Sequence, residues 1–313
     1  MALFERIWQV TVGPPGGVGL ILPAVRTQFS VIKTADATCN TIEVRLSNLN
    51  ATTRQQVQEL SPKKIVIIKA GYAQGAGLQT VGIGAITAVN HVSEPPNITT
   101  IILAQDGYET VKNLSISVSF GRNTPAAQVL QGIAARMRLP IRPLPPAPAA
   151  VYARGFSFNG HARDALSQVT LRMGLSWSIQ NGEIQVLGTA GAAPGVVEVL
   201  SVATGMIGSP EFLVDSGTEA SQRAQDVAAE QARLNLSYSL TETQREALIA
   251  KAKAKAALPG WRVRCLLRPT LEPGSRISLV SLNANGFFRV NRSEHTGDSH
   301  GATDWTSTLE VAA

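Results

Sequence analysis

The 313 residues hold only two cysteines, Cys39 and Cys265, far apart and in no CxxC pair. This excludes a disulfide framework and a thiolate metal centre, and leaves both as small apolar fillers. Charge is scarce at 16% and aromatics at 5%, whereas Gly (27) and Pro (17) are plentiful, which favours many short strands and turns over long helices. No long apolar run is present: VGLILPAV and KKIVIIKAG are strand-sized and broken by Pro, Lys or Gly, well short of the roughly 18 residues of a membrane span. The start, MALFERIWQV, puts Glu5 and Arg6 where a secretory signal needs an apolar core, so synthesis and folding are expected in the cytoplasm. Motifs of chemistry are missing as well. There is no GxSxG elbow, GAGLQTVGIG lacks the GxGxxG form and opens no helix, and no acidic pair suited to sugar hydrolysis is localised. Nothing here recruits a cofactor.

A net charge of +6 raises the possibility of a nucleic-acid binding module, so its distribution matters. Residues 199–313 carry 12 Lys/Arg against 12 Asp/Glu, and no segment forms a basic stripe. The densest groups are Arg136, Arg138 and Arg142, and Lys251, Lys253 and Lys255; at about 100° per residue the lysines do not share one helix face.

What is there reads as mainly β with α/β parts. In RTQFSVIKT and NTIEVRLSNL apolar residues recur at every second position, the signature of half-buried strands. A short helix is expected from Thr52 to about Leu60, stopped by Pro62. KKIVIIKAGY, TVGIGAITAVNHV, NITTIILAQDG and NLSISVSFG supply further strands, and a small closed barrel would leave them few edges. Next comes a helix capped by Thr124 with Pro125 at its first position. A proline-rich linker, IRPLPPAPAA, precedes a second helix, HARDALSQVTLRMGL, and a hairpin turning at Asn181-Gly182. WRVRCLLRP, SRISLVSL, GFFRVNRSEH and DWTSTLEV are strands of a last unit, interrupted by an Ala-, Glu- and Lys-rich helical insertion at about 219–258. In it Thr241 and Gln244 form a capping box before REALIAKAKAKAAL. The expected domains are 1–122, a β-barrel; 123–198, a small helix-hairpin α/β unit; and 199–313, a second barrel carrying the insertion.

One stretch concentrates candidate chemistry. SEHTGDSHG, Ser293 to Gly301, brings Glu294, His295, Asp298 and His300 together, and His295, His300 and Asp298 are candidate metal ligands. A spacing of five does not put two histidines on one helix face, and Gly297, Asp298, Ser299 and Gly301 are turn residues. A hairpin loop between FFRVNR and DWTSTLEV is the expectation. His91 and His161 are expected at the surface, at loop or helix entries.

The order of segments resembles a known family. FSVIKT, TIEVRLSNLNATTRQQV, IVIIKAGY, TTIILAQDG and LSISVSFGRNTPAAQVLQGIA are similar to the first barrel of bacteriophage tail baseplate hub proteins. GMIGSPE, GWRVRCLLRPTLEPGSRISLVS and NGFFRVNRSEHTGDSHGATDWTSTLEV are similar to the second, with ALSQVTLRMGLSWSIQNGEIQVL between them. The family includes the late control D proteins of temperate contractile phages, and its fold recurs in the N-terminal part of type VI secretion spike proteins. The resemblance makes His295, Gly297, Asp298, His300 and Gly301 a signature turn. It implies a non-enzymatic homotrimeric ring of pseudo-sixfold symmetry in the virion tail baseplate, assembled in the host bacterial cytoplasm. Implied partners are the tail tube or adjoining tail-tip proteins, a central spike, the tape-measure protein and baseplate wedge proteins, with transient passage of viral DNA without specific binding. The competing reading is a virion-associated metal-dependent cell-wall hydrolase built on Glu294, His295, Asp298 and His300.

Overall fold

The computed structural model describes residues 5–59, 64–145, 150–188, 195–213, 228–229, 231–232, 241–256, 260–301 and 304–312. It is mainly β, as expected. The first segment holds β1 (Arg6–Gly13), β2 (Leu20–Ile21), β3 (Thr27–Thr34), β4 (Thr41–Ser47), α1 (Ala51–Glu59), β5 (Ile65–Tyr72), β6 (Gly77–Glu94) and β7 (Asn97–Gln105). The middle holds α2 (Tyr108–Lys112), β8 (Ser115–Phe120), β9 (Thr124–Pro125), α3 (Ala126–Met137), β10 (Val151–Tyr152), β11 (Phe156–His161), α4 (Ala162–Arg172), β12 (Leu175–Gln180) and β13 (Glu183–Gly188). The last holds β14 (Glu198–Leu200), β15 (Met206–Leu213), α5 (Glu242–Ala256), β16 (Gly260–Leu266), β17 (Arg276–Val280), β18 (Asn285–Asp298) and β19 (Trp305–Ala312).

The first and last segments share one hydrogen-bonded sheet, in the order β15-β16-β19-β18-β3-β4-β7-β6-β5-β1-β2, with β17 beside β18 and β14 beside β17. Among the described residues this path is open at both ends. Its two halves repeat one plan. Strands taken in chain order as first to fifth lie in space as first, second, fifth, fourth, third: β3-β4-β7-β6-β5 in one half and β15-β16-β19-β18-β17 in the other. The match extends to irregularities. In β6, Ala85 pairs both β5 and β7, and a bulge follows between Ile86 and Ala88. In β18, Arg289 pairs both β17 and β19, and a bulge follows between Val290 and Arg292. Bulges re-aim a strand at a defined place, so the coincidence marks a duplicated unit. The halves meet where β3 pairs β18, Thr34 opposite Arg292 through Gln28 opposite Asp298.

Apolar alternation sets the cores. On β3 the inward residues Phe29 and Val31 are buried, and they join a cluster that also takes Leu267 and Trp305 from the last segment. A second cluster, with Val263, Cys265, Leu309 and Val311, fills the other half. The middle segment has its own core from α3, α4 and their strands. Its β12–β13 hairpin turns at Asn181 and Gly182 with φ of 55° and 80°, the left-handed pair expected of Asn-Gly.

Two expectations, on Thr124 and His91, are corrected. Thr124 does not cap α3: it lies in β9, its hydroxyl donates to Gly121 O at 2.8 Å, and Pro125 takes the cap position without a side-chain bond. The start of the proline-rich linker is pinned beside the β12–β13 hairpin, Arg142 N donating to Ile184 O at 2.9 Å. His91 is not at a loop but inside β6. The capping box is present, Thr241 N reaching Gln244 Oε1 at 3.0 Å and Gln244 N reaching Thr241 Oγ1 at 3.3 Å. Pro62 and most of the preceding helical piece, including Glu219 and Arg223, lie outside the described residues.

Candidate functional site

The stretch from Ser293 is strand as far as Asp298, and only Ser299–Gly301 turn, so the expected loop is shorter than its composition suggested. Strand alternation then disperses the cluster. His295 is 0% exposed, with Nδ1 2.8 Å from Ser307 Oγ. Burial, with Lys33 adding to it, pushes the imidazole pKa down to about 3, which keeps it neutral. Glu294 projects to the opposite face, between Thr308 and Ile32. His300 is exposed, its ring edge-on to Trp8 and Nδ1 2.8 Å from Ser299 Oγ.

Asp298 has a full set of donors: Arg26 Nη2 at 2.7 Å, Gln28 Nε2 at 2.9 Å and the His300 amide at 3.0 Å. The Arg26 hydrogen bond leads the effects that hold its carboxyl well below the usual carboxylate range. Arg6 donates to Gly301 O at 2.5 Å and lies over the Trp305 ring. At Gly297 a Cβ would come within 2.3 Å of the Phe29 ring, so this close approach needs glycine. The segment therefore staples β1 and β3 to the last hairpin. No group of three His, Cys, Asp or Glu among the described residues could hold a metal ion.

The duplication gives the histidine another meaning. Across the sheet, His91–Thr100–Leu46–Thr27 in one half matches His295–Ser307–Cys265–Met206 in the other. His91 Nδ1 lies 3.0 Å from Thr100 Oγ1, the counterpart of the His295–Ser307 contact. Cys265 takes the place of Leu46, a buried filler whose thiol burial pushes up to about 12.

Sequence reasoning missed a polar junction where all three segments meet. Lys33, 1% exposed, donates to Glu272 Oε1 at 2.9 Å and Asn181 Oδ1 at 3.0 Å. Arg142 donates to Glu272 Oε2 at 3.1 Å and Glu183 Oε2 at 2.9 Å. Burial pushes the Glu272 carboxyl up, but Lys33 and Arg142 outweigh it and hold it below its ordinary value. Asp106 accepts from Gly182 N at 2.9 Å, and burial raises its pKa to about 6. Asn40 donates to Ile179 O at 2.7 Å and Gln180 Nε2 donates to Thr34 O at 2.7 Å. A signal existed: Lys33 continues the inward phase of Phe29 and Val31, where a lone cation needs a partner. Arg142, counted in a basic group, is thus used internally, and the side chains of Lys251, Lys253 and Lys255 lie outside the described residues. Among the described residues no helix is long and apolar enough to cross a membrane.

The arrangement builds joints between strands. No curated protein matches the sequence. Solved structures share the fold. A tail protein from Neisseria meningitidis MC58 is 11% identical with a TM-score of 0.62, covering 98% of this chain and 96% of its own. The 43 kDa tail protein of prophage MuSo2 from Shewanella oneidensis is 8% identical with a TM-score of 0.62, covering 98% of each. An E. coli type VI secretion component, described as structurally similar to the T4 bacteriophage tail proteins gp27 and gp5, is 12% identical with a TM-score of 0.54, covering 96% of this chain and 76% of its own. The family model for the baseplate hub gp41 matches residues 7–212, about two thirds of the chain. The chain belongs to that baseplate hub family, and is a structural component of the virion tail baseplate.

Proposed function

We propose that three copies of this chain form a ring at the centre of the baseplate, in which the two repeats of each chain make six near-equivalent units around a channel. The duplicated strand plan, down to its bulges, carries this reading. A chain holding two copies of one unit offers six to a sixfold tail tube while its copy number meets a threefold spike. Residues 1–122 and 199–313 are then tube-type barrel domains, and 123–198 braces them through the Lys33–Glu272–Arg142 junction. The tube or adjoining tail-tip proteins dock on one side of the ring, the central spike on the other, and wedge proteins around it. The channel passes the tape-measure protein and the genome. Passage is fastest where phosphates are not captured, which suits the 12 cationic against 12 acidic residues of 199–313.

The role is non-enzymatic in this reading, supported by the dispersal of Glu294, His295, Asp298 and His300 over two strand faces and a turn. The test is the mass and symmetry of the purified assembly, by native mass spectrometry and single-particle imaging. Three chains of 33.1 kDa with threefold symmetry are expected, and any other copy number overturns the ring.

A further inference from the structure

Of the two equivalent joints that the repeats define, the chain makes one. The first strand of one repeat, β3, pairs the outer flank of the fourth strand of the other, β18, just beyond β17. The same flank of β6, beyond β5, has no strand partner over residues 87–94 among the described residues, and the outer edge of β15, the counterpart of β3, has none either. Burial records the difference. Val31 on β3 and His295 on β18 are each 0% exposed, whereas their counterparts are open to solvent: Phe212 on β15 is 52% exposed, and His91 on β6 is exposed too. Two bare edges of this kind invite pairing with another chain.

We infer that β15 of one copy adds to the free flank of β6 of the next, reproducing between chains the β3–β18 joint within the chain. The proposal rests on the ring reading above and names the surface by which it closes. Its register follows from the pairings. The row Val31–Ile42–Ala104–Ile86 in the first repeat corresponds to Phe212–Trp261–Val311–Val290 in the second. Val31 stands opposite His295, and His295 corresponds to His91. Phe212 therefore stands opposite His91 of the neighbouring copy, Glu211 opposite Val92, and Leu213 opposite Asn90. The occupant is a second copy of this chain because the fitting edge is one that the chain itself carries. Joining the β15 edge of one copy to the β6 flank of the next uses a different surface on each partner, and such a heterologous contact closes into a ring when its rotation divides the circle.

The experiment places cysteines at two exposed, directly opposed positions, Val92→Cys and Glu211→Cys, and oxidises the purified full-length protein. Linked peptides are identified by mass spectrometry, so that the native Cys39 and Cys265 are accounted for. The double variant is expected to link chains up to three, and an equal mixture of the single variants to give linked pairs that neither gives alone. An assembly of three chains with no 92–211 link overturns the strand addition and leaves the ring standing. A link in an assembly of another size keeps the strand addition and overturns the threefold ring. A protein that stays a single chain at all concentrations overturns both.

Discussion

His91 and His295 take the same place in two copies of one motif, each with Nδ1 beside a hydroxyl of the next strand, yet one ring is exposed and the other is wholly buried. Only His295 has a strand on its second flank. Its pKa of about 3 lies far below the unfolded value of 6.5, so between those values the unfolded chain binds a proton that the native chain does not. Stability contributed by neutral His295 is thus complete above about pH 6.5 and is lost as pH falls towards 3. A difference of this size is worth on the order of 5 kcal/mol as an upper bound. His295→Gln, which can still bond Ser307, is expected to flatten the fall in thermal midpoint between pH 7 and 5, a range above the ordinary carboxylate titrations in which Asp106 acts alike in both proteins. An unchanged slope in that range removes His295 as the acid-labile group.

Lys33 and Glu272 pair across the boundary between the first and last segments, with side chains 1% and 14% exposed. Removing one partner leaves a buried charge short of compensation, which costs about 3–5 kcal/mol. Glu272→Gln is expected to show that loss in denaturant unfolding, since Arg142 loses one of its two carboxylate partners as well. Lys33→Met with Glu272→Gln should cost at least 1 kcal/mol less than the sum of the single changes, the sign of a coupled pair. Strict additivity would mean that the two side chains do not interact.

How far this was legible follows from which signals are local. Strand alternation in FSVIKT and TIEVRLS, the Asn181-Gly182 turn and the Thr241–Gln244 box are read from neighbouring residues, and each formed. The resemblance implied two similar barrels, but the repeat was not legible in the residues themselves, because what repeats is pairing order and bulge position while the side chains differ: Cys265 replaces Leu46 and Trp261 replaces Ile42. SEHTGDSHG was expected as a hairpin loop, and the strand runs on through it to Asp298. Adjacency in sequence became opposition in space once Glu294 and His295 fell in a strand. Thr124 looked like a cap, but the chain pairs with β10 there before it turns into α3.

Asp106 shows the opposite pH dependence to His295. Its pKa is raised from 3.8 to about 6 by burial, so between these values the native chain holds a proton that the unfolded chain has lost. Stability is greatest below about pH 4 on this account and declines as pH rises through 6, by up to about 3 kcal/mol. Asp106→Asn retains an oxygen for the Gly182 amide and cannot ionise. The variant is expected to match the parent only below about pH 4, and its advantage should grow with pH to about 1–3 kcal/mol at pH 8 in chemical denaturation. Equal stability at pH 8 would show that Lys33 and the surrounding amides fully compensate the charge.

The helical insertion can be removed without opening the sheet, because its ends already face each other. Leu213 pairs Gly260 across β15 and β16, so residues 214–259 can be replaced by Asn-Gly, whose left-handed turn joins adjacent antiparallel strands. Within the described part of α5 and its cap, Thr241 to Ala250, no residue is fully buried, and a helix of this length draws little stability from its own hydrogen bonds. The shortened chain is expected to keep its thermal midpoint within about 4 °C of the parent, since the described residues of α5 supply no fully buried side chain. It should retain the exposed Phe212–Trp261 contact and the β15 edge, so chain association through that edge should survive. Pull-down of the remaining tail proteins then separates two roles: loss of one partner with association intact makes the insertion a docking element for it. Loss of association itself would place the insertion at the joint between copies.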